Sequence, residues 1–356
     1  VESRPEDDSY VFYDGPPFIT GMPHHGTLLS SIVKDAVPRF WTMRGKRVER
    51  RWGWDCHGLP AENFVEKQLG ITDRREIGTK WSLEDYILKA RESMVANSET
   101  WEGTIDRIGR WVDFKGAYRT MDKSFMESVW WAFKTLYEKG KIYEGRKVLM
   151  YDTKFATPVS KSEVTMDNDA YQMVTDPSAY VKFKLSESAF ASFLDRSGAL
   201  AQVLRPAKDA STDSPSSNVY LLAWTTTPWT LPANMALAVN PEMEYVAVRV
   251  DGEILVLAKS RLEVTLKDTE YEVIKEGIKG QDLIGLTYEP ICATIGKEAK
   301  LKDTWTVLGG DFVSDVDGTG IVHIAPAYGE DDYRLAQEHE VDFVDVLDEY
   351  GYYTEP

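Results

Sequence analysis

The stretch from Tyr10 to Glu62 constrains the fold of this chain more than any other. It opens with a short apolar run, Tyr10-Val11-Phe12-Tyr13, which predicts a strand leading into Asp14-Gly15-Pro16-Pro17. A glycine-bounded turn follows, Gly21-Met22-Pro23-His24-His25-Gly26-Thr27. Leu28, Leu29, Ile32, Val33, Ala36 and Phe40 then recur at helical spacing, and Gly45 ends the helix. A second strand is expected from Lys46 to Trp52, delivering Gly53-Trp54-Asp55-Cys56-His57-Gly58-Leu59-Pro60. Strand, helix, strand at this length is a βαβ unit with a right-handed crossover. Such sheets bind ligands beyond the carboxyl ends of their strands. The clusters after Tyr13 and at Asp55 both fall at that edge. A helix start with free N–H groups, partial positive charge and two histidines beside it suits a phosphate. Spacing alone leaves a plainer reading open. Gly and Pro after a strand also make ordinary turns, and His24 alone fits a structural histidine. Gly-x-x-His-x-Gly is neither a P-loop nor a dinucleotide fingerprint.

The strings themselves are more specific. Phe12-Tyr13-Asp14-Gly15-Pro16-Pro17-Phe18, His24-His25-Gly26-Thr27 and Gly53 to Pro60 resemble the first half of a class I aminoacyl-tRNA synthetase, in particular the isoleucyl branch. The Cys56-His57 pair separates the chain from the leucyl and valyl branches. The resemblance implies a Rossmann-like nucleotide-binding half-domain. In it, His24, Gly26 and Thr27 form the catalytic ATP-binding loop, and Gly15, Pro16 and Asp55 hold the amino acid. In the family the position of Thr27 is a second phosphate-binding histidine. Threonine donates one hydrogen bond and carries no charge, so adenylation is the activity this substitution touches. His25 adds an imidazole at a position the family varies.

Further along, residues 63 to 81 read as charged and irregular. Ser82 reads as an N-cap, followed by a stripe of Tyr86, Ile87, Ala90, Met94 and Trp101 that predicts a core-facing helix face. Asp122 is expected to cap a helix with Phe125, Val129, Ala132, Phe133 and Leu136 on one face, ended by Lys139-Gly140. From about Tyr151 helical periodicity gives way to short strands: Tyr180 to Leu185, Tyr220 to Trp224, Tyr245 to Val250 and Ile254 to Leu257. Asp251-Gly252 between the last two is a hairpin signal. Ala207 to Asn218 reads as a solvated loop. Many short strands predict a β-barrel-like second domain, so the fold class expected is α/β with residues 1–174 catalytic and 175–356 an inserted editing domain.

That second region carries Trp224-Thr225-Thr226-Thr227-Pro228-Trp229-Thr230-Leu231-Pro232-Ala233-Asn234, and later Gly318 to Pro326 followed by Gly329-Glu330-Asp331-Asp332-Tyr333. On residues alone, a threonine run is ordinary strand propensity and Asp331-Asp332 an acidic turn. By resemblance these are the editing elements of the isoleucyl family, with Thr225, Thr226, Thr227, His323 and Asp332 as site residues. A pocket for isoleucine rejects valine poorly, and the isoleucyl enzyme is the standard worked example of that limit and of a second, hydrolytic site. With no Ser-His-Asp or Cys-His pair in evidence, a directly attacking water is expected.

The resemblance implies an isoleucine–tRNA ligase acting on tRNA(Ile), isoleucine and ATP, with Mg2+ arriving on the nucleotide and no protein-bound metal. The family's Lys-Met-Ser-Lys-Ser half and anticodon-binding domain have no counterpart here, so a truncated chain is expected. A leucyl or valyl relative, a stand-alone editing hydrolase and a non-catalytic paralogue are the alternatives. The net charge of −17 weighs mildly against RNA binding and favours solubility. Cys56 and Cys292 are far apart and form no metal spacing, and no apolar run is long enough to span a bilayer. A cytoplasmic monomer that makes no membrane contact is expected.

Overall fold

The computed structural model describes residues 3–18, 21–94, 98–161, 164, 171–189, 218–292 and 304–354. The chain divides into two compact units, Val1–Gly145 and Arg146–Pro356. The loop expected at 207–218 lies outside the described residues except for Asn218.

In the first unit, helix α1 spans His25–Met43 and closes at Arg44, with Gly45 at φ +100°. Strand β1 (Arg51–Trp54) follows, then α2 (Leu59–Leu69), α3 (Leu83–Ser93), α4 (Ser98–Arg107), β2 (Asp113–Arg119) and α5 (Lys123–Glu138). β1 and β2 pair in parallel, with Gly53 opposite Tyr118. The core beneath them is aromatic: Trp52, Trp54 and Trp101 are at most 2% exposed, and Trp54 meets Trp101 edge-on.

Several expectations are corrected. Tyr10 to Tyr13 forms no regular strand. The segment touches the next one at single parallel bridges, Ser9 with Arg47 and Phe18 with Asp55. Pro16 and Pro17 lack the N–H groups a ladder needs. The second strand is shifted, running Arg51–Trp54 rather than from Lys46. Residues 63–69 are helical: Pro60 sits in the first turn of α2 and Gly70 closes it in the left-handed region.

The faces of the helices also differ from the pattern. On α1 the buried residues are Ser31, Asp35 and Pro38, while Leu29, Ile32, Val33 and Phe40 are exposed. The polar face can be buried because it is satisfied. Asp35 accepts from the Trp111 backbone at 3.2 Å and Ser31 from Arg110 at 3.2 Å. α5 buries none of its expected stripe; Val129, Phe133 and Leu136 are about half exposed. Asp122 occupies the N-cap position of α5, but its carboxylate accepts from the Arg119 N–H instead. Ser82 does cap α3, accepting from Asp85 N–H. Met94 and Trp101 are buried as expected, while Ile87 is exposed.

In the second unit a hairpin, β3 (Met150–Asp152) with β4 (Thr157–Val159), precedes β5 (Ala179–Lys184), β6 (Val219–Thr225), β7 (Ala236–Val239), β8 (Glu244–Val250), β9 (Glu253–Ala258), β10 (Glu272–Lys279), β11 (Thr306–Gly309) and β12 (Ile321–Ile324). A helix, Glu330–Glu338, follows. The four predicted strands match β5, β6, β8 and β9 within a residue or so. Asp251 and Gly252 both have positive φ, as a type I′ turn requires.

The barrel-like expectation is corrected: among the described residues there is no closed barrel. The strands form two open sheets, in orders β10-β8-β9-β6-β5 and β11-β7-β12. Closure needs an unbroken ladder around a ring, and among the described residues the two sheets are linked at isolated bridges, Leu185 with Tyr288 and Thr287 with Thr306, instead of a continuous ladder. Phe183, Leu221, Val256, Tyr245 and Leu237 pack the core where they meet.

Candidate functional site

In the first unit the predicted residues gather at the carboxyl end of β1 and the start of α1. His24 is the N-cap residue of α1 but makes no side-chain cap. The N–H groups of the first turn, including those of Gly26 and Thr27, therefore stay available to an anion. A Cβ on Gly26 would come within 3.1 Å of the His24 ring, so glycine lets the imidazole lie over the helix start. His24, His25 and Gly26 are exposed, and Thr27 is half-buried.

Asp55 follows β1 directly. Its N–H donates to the Pro17 carbonyl at 3.0 Å, which draws the Pro16-Pro17 loop against the strand end. Its own carboxylate accepts from the His57 N–H. The Gly15 carbonyl accepts from Lys34 Nζ at 2.7 Å, and the same ammonium lies 2.7 Å from Asp14. Arg110, 6% exposed at its side chain, pairs with the other oxygen of Asp14 and stacks over the Trp52 ring. Asp14, Lys34 and Arg110 thus tie the Gly15 loop to α1 and to the segment before β2. Sequence reasoning missed Lys34 and Arg110, because nothing local marks a cation that acts 19 or 96 residues away.

In the second unit Thr225, Thr226, Thr227, His323 and Asp332 line one cavity of about 380 Å3. β6 delivers Thr225 at its end. Thr225 Oγ1 accepts from the Thr227 N–H at 3.0 Å, turning the chain into the Pro228–Ala233 helical turn. β12 delivers His323, paired across to Leu237 on β7. Gly318 and Gly320 have φ of +71° and +73°, and a Cβ on Gly320 would lie 2.4 Å from that of Ala258. Only glycine lets this turn pack so closely before β12.

Asp332 lies in the first turn of the helix Glu330–Glu338 and accepts from the Ala325 N–H at 2.8 Å. Burial pushes its carboxyl up to about 6, against that N–H, which favours the charged form. His323 is 7% exposed, and burial lowers it to about 4. Its Nε2 meets Thr230 Oγ1 at 2.8 Å and its Nδ1 meets Asn234 Nδ2 at 2.9 Å. The cavity is therefore lined by an ionisable carboxyl, a neutral imidazole and several threonine hydroxyls. Thr230 and Asn234 sit inside the quoted threonine string but were not singled out as functional. Tyr288, which bonds Asn234, had no local signal.

Among the described residues no cluster of three or more His, Cys, Asp or Glu could hold a metal ion, and no helix is long and apolar enough to cross a membrane.

The family model for class I tRNA synthetases (I, L, M and V) matches residues 1–317. The chain belongs to that family of class I tRNA synthetases. Within it, the chain is 43% identical over 364 residues to an isoleucine–tRNA ligase of Corynebacterium diphtheriae, covering 99% of this chain and 32% of that protein. It is 42% identical to an isoleucine–tRNA ligase of Treponema denticola, covering 98% and 32% respectively. The chain thus spans about a third of the length of these curated relatives. A solved leucyl-tRNA synthetase editing domain from P. falciparum is 17% identical, covers 45% of this chain and 65% of that one, and gives a TM-score of 0.33.

Proposed function

We propose that this chain is part of an isoleucine–tRNA ligase, with a Rossmann-like half-site for isoleucine activation in the first unit and a hydrolytic editing site in the second. We carry the domain limits 1–174 and 175–356 over from the resemblance, although residues 146–174 cluster with the second unit.

In activation, the isoleucine carboxylate attacks the α-phosphate of ATP and pyrophosphate leaves. Positioning and charge stabilisation do most of this work. The start of α1, with His24, the Gly26 amide and Thr27, receives the phosphates of the Mg2+–ATP complex. Asp55 accepts the substrate ammonium, and Gly15 and Pro16 border the side chain. The Asp55 N–H bond to Pro17 supports this reading, since it joins the carboxylate to the loop that must close around the same amino acid.

In editing, valine misattached to tRNA(Ile) enters the second-unit cavity. Ionised Asp332 grips its ammonium, and Thr225, Thr226 and Thr227 bond the terminal adenosine and the attacking water. His323 crowds the side chain and excludes isoleucine. The observation that carries the proposal is that three threonines, a buried histidine and a half-buried aspartate, drawn from two distant strings, line a single cavity. Valyl-tRNA(Ile) deacylation tests it: Asp332→Ala should abolish hydrolysis without unfolding the chain, and a wild-type rate in that variant removes the editing reading.

A further inference from the structure

Both ring nitrogens of His323 are engaged, and the roles of their partners are forced. A hydroxyl carries one proton. Thr230 Oγ1 donates its own to the Thr227 carbonyl at 2.9 Å, so at His323 Nε2 it accepts. Nε2 therefore carries the ring proton, and Nδ1 of the neutral ring accepts from Asn234 Nδ2. The Asn234 amide is held the right way round from two sides. Its Nδ2 also donates to the Ala236 carbonyl at 2.9 Å, and its Oδ1 accepts from the Tyr288 hydroxyl at 2.7 Å. Turning the amide over would set its oxygen against the Ala236 carbonyl oxygen. Tyr288 is itself fixed, 3% exposed and packed edge-on against Phe183 at 5.3 Å. Neither Asn234 nor Tyr288 lines the cavity, so anything they do to a bound substrate passes through His323.

We propose that Tyr288 is a positioning residue for the size sieve: through Asn234 it locks the His323 ring in one orientation and one tautomer, so that the ring offers carbon to the bound side chain. With both nitrogens taken by the protein, His323 neither donates to nor accepts from an entering amino acid. It acts as a rigid wall, and selectivity follows from where that wall stands. Excluding one methylene requires a surface that cannot swing aside. The inference rests on the editing reading, but its structural half can be tested separately.

Tyr288→Phe keeps the buried ring and removes only the oxygen. Histidine-labelled 15N spectra of the full chain, assigned with His323→Gln, should show a bare Nδ1 and a protonated Nε2 at His323. In Tyr288→Phe the two tautomers should mix. Hydrolysis of tRNA(Ile) carrying valine should hold, while hydrolysis of tRNA(Ile) carrying isoleucine rises. Discrimination should fall about fivefold, the factor that about 1 kcal/mol from one lost neutral hydrogen bond gives. Asn234→Asp, which puts an acceptor where the donor stood, should force the proton to Nδ1 and relax the sieve further. It carries the test if Tyr288→Phe does not fold. The proposal is overturned if the parent carries its proton on Nδ1, or if a folded variant keeps both the parent's nitrogen pattern and its discrimination. A parent that shows the Nε2–H form but cuts neither aminoacyl-tRNA removes the editing reading while leaving the brace intact.

Discussion

Asp332 Oδ2 accepts the backbone N–H of Ala325 at 2.8 Å, which joins the exit of β12 to the first turn of the helix Glu330–Glu338. The same turn brings the carboxylate to the cavity that His323 lines from the strand. The two groups are displaced in opposite directions by the same cause, burial. Asp332 is raised to about 6 and His323 lowered to about 4.

That opposition sets the pH dependence of stability. A raised carboxyl stabilises the fold below its unfolded value near 4, and the effect is lost as pH rises through about 6. The side of Asp332 open to the cavity screens it, so the effect on stability is about 1–2 kcal/mol. A lowered imidazole stabilises the fold above its unfolded value near 6.5, and the effect is lost as pH falls through about 4. In the parent these largely cancel between pH 4 and 6. Asp332→Asn should therefore show a urea midpoint that falls more steeply on acidification than the parent's. His323→Gln should show one that rises. Parallel curves for all three proteins would contradict the assigned shifts.

The activity should follow Asp332 alone. Gripping an ammonium needs the ionised carboxylate, so valyl-tRNA hydrolysis should rise with pH through about 6 and level off above it. A rate that is flat from pH 5 to 8 would show that the charge of Asp332 is not used.

Asp55 stands at the end of β1 beside the Pro16-Pro17 loop. In a form competent for pyrophosphate exchange, Asp55→Asn should raise the isoleucine KM by a factor equivalent to roughly 1.5–3 kcal/mol, the value of a charge-assisted bond. Unchanged exchange kinetics would remove Asp55 from the amino-acid site.

Thr27 lies in the first turn of α1, where N–H groups are free for phosphate. Thr27→His restores the family's imidazole and should lower the KM for ATP in the same assay. Weaker ATP use would show a loop built around threonine, and His25→Ala would then test whether the neighbouring imidazole supplies the missing donor.

Gly53 faces Tyr118 across the β1–β2 pair so closely that an added Cβ would lie 2.2 Å from the ring. Gly53→Ala should cost about 1–3 kcal/mol through overpacking, read as a lower denaturant midpoint. A second change, Tyr118→Ala, should recover part of that loss.

The local rules were legible residue by residue. Ser82 caps its helix, Gly45 and Gly140 close theirs, and Asp251-Gly252 makes the turn that only positive φ permits. These depend on contacts a few residues apart, which the order of amino acids determines by itself. The threonine string and the histidine and aspartate strings were likewise readable as chemistry. Their meeting in one cavity, about 100 residues apart in the chain, depended on β6 and β12 being laid near the same place. Only the tertiary structure decided which face of α1 is buried, because Asp35 and Ser31 find partners at Trp111 and Arg110 that periodicity cannot see. It also decided that the strands form two open sheets. It alone brought Lys34 and Arg110 to Asp14, and Tyr288 to Asn234. In each case a buried polar group must find its partner wherever the fold brings one within about 3 Å, and sequence distance places no limit on where that is.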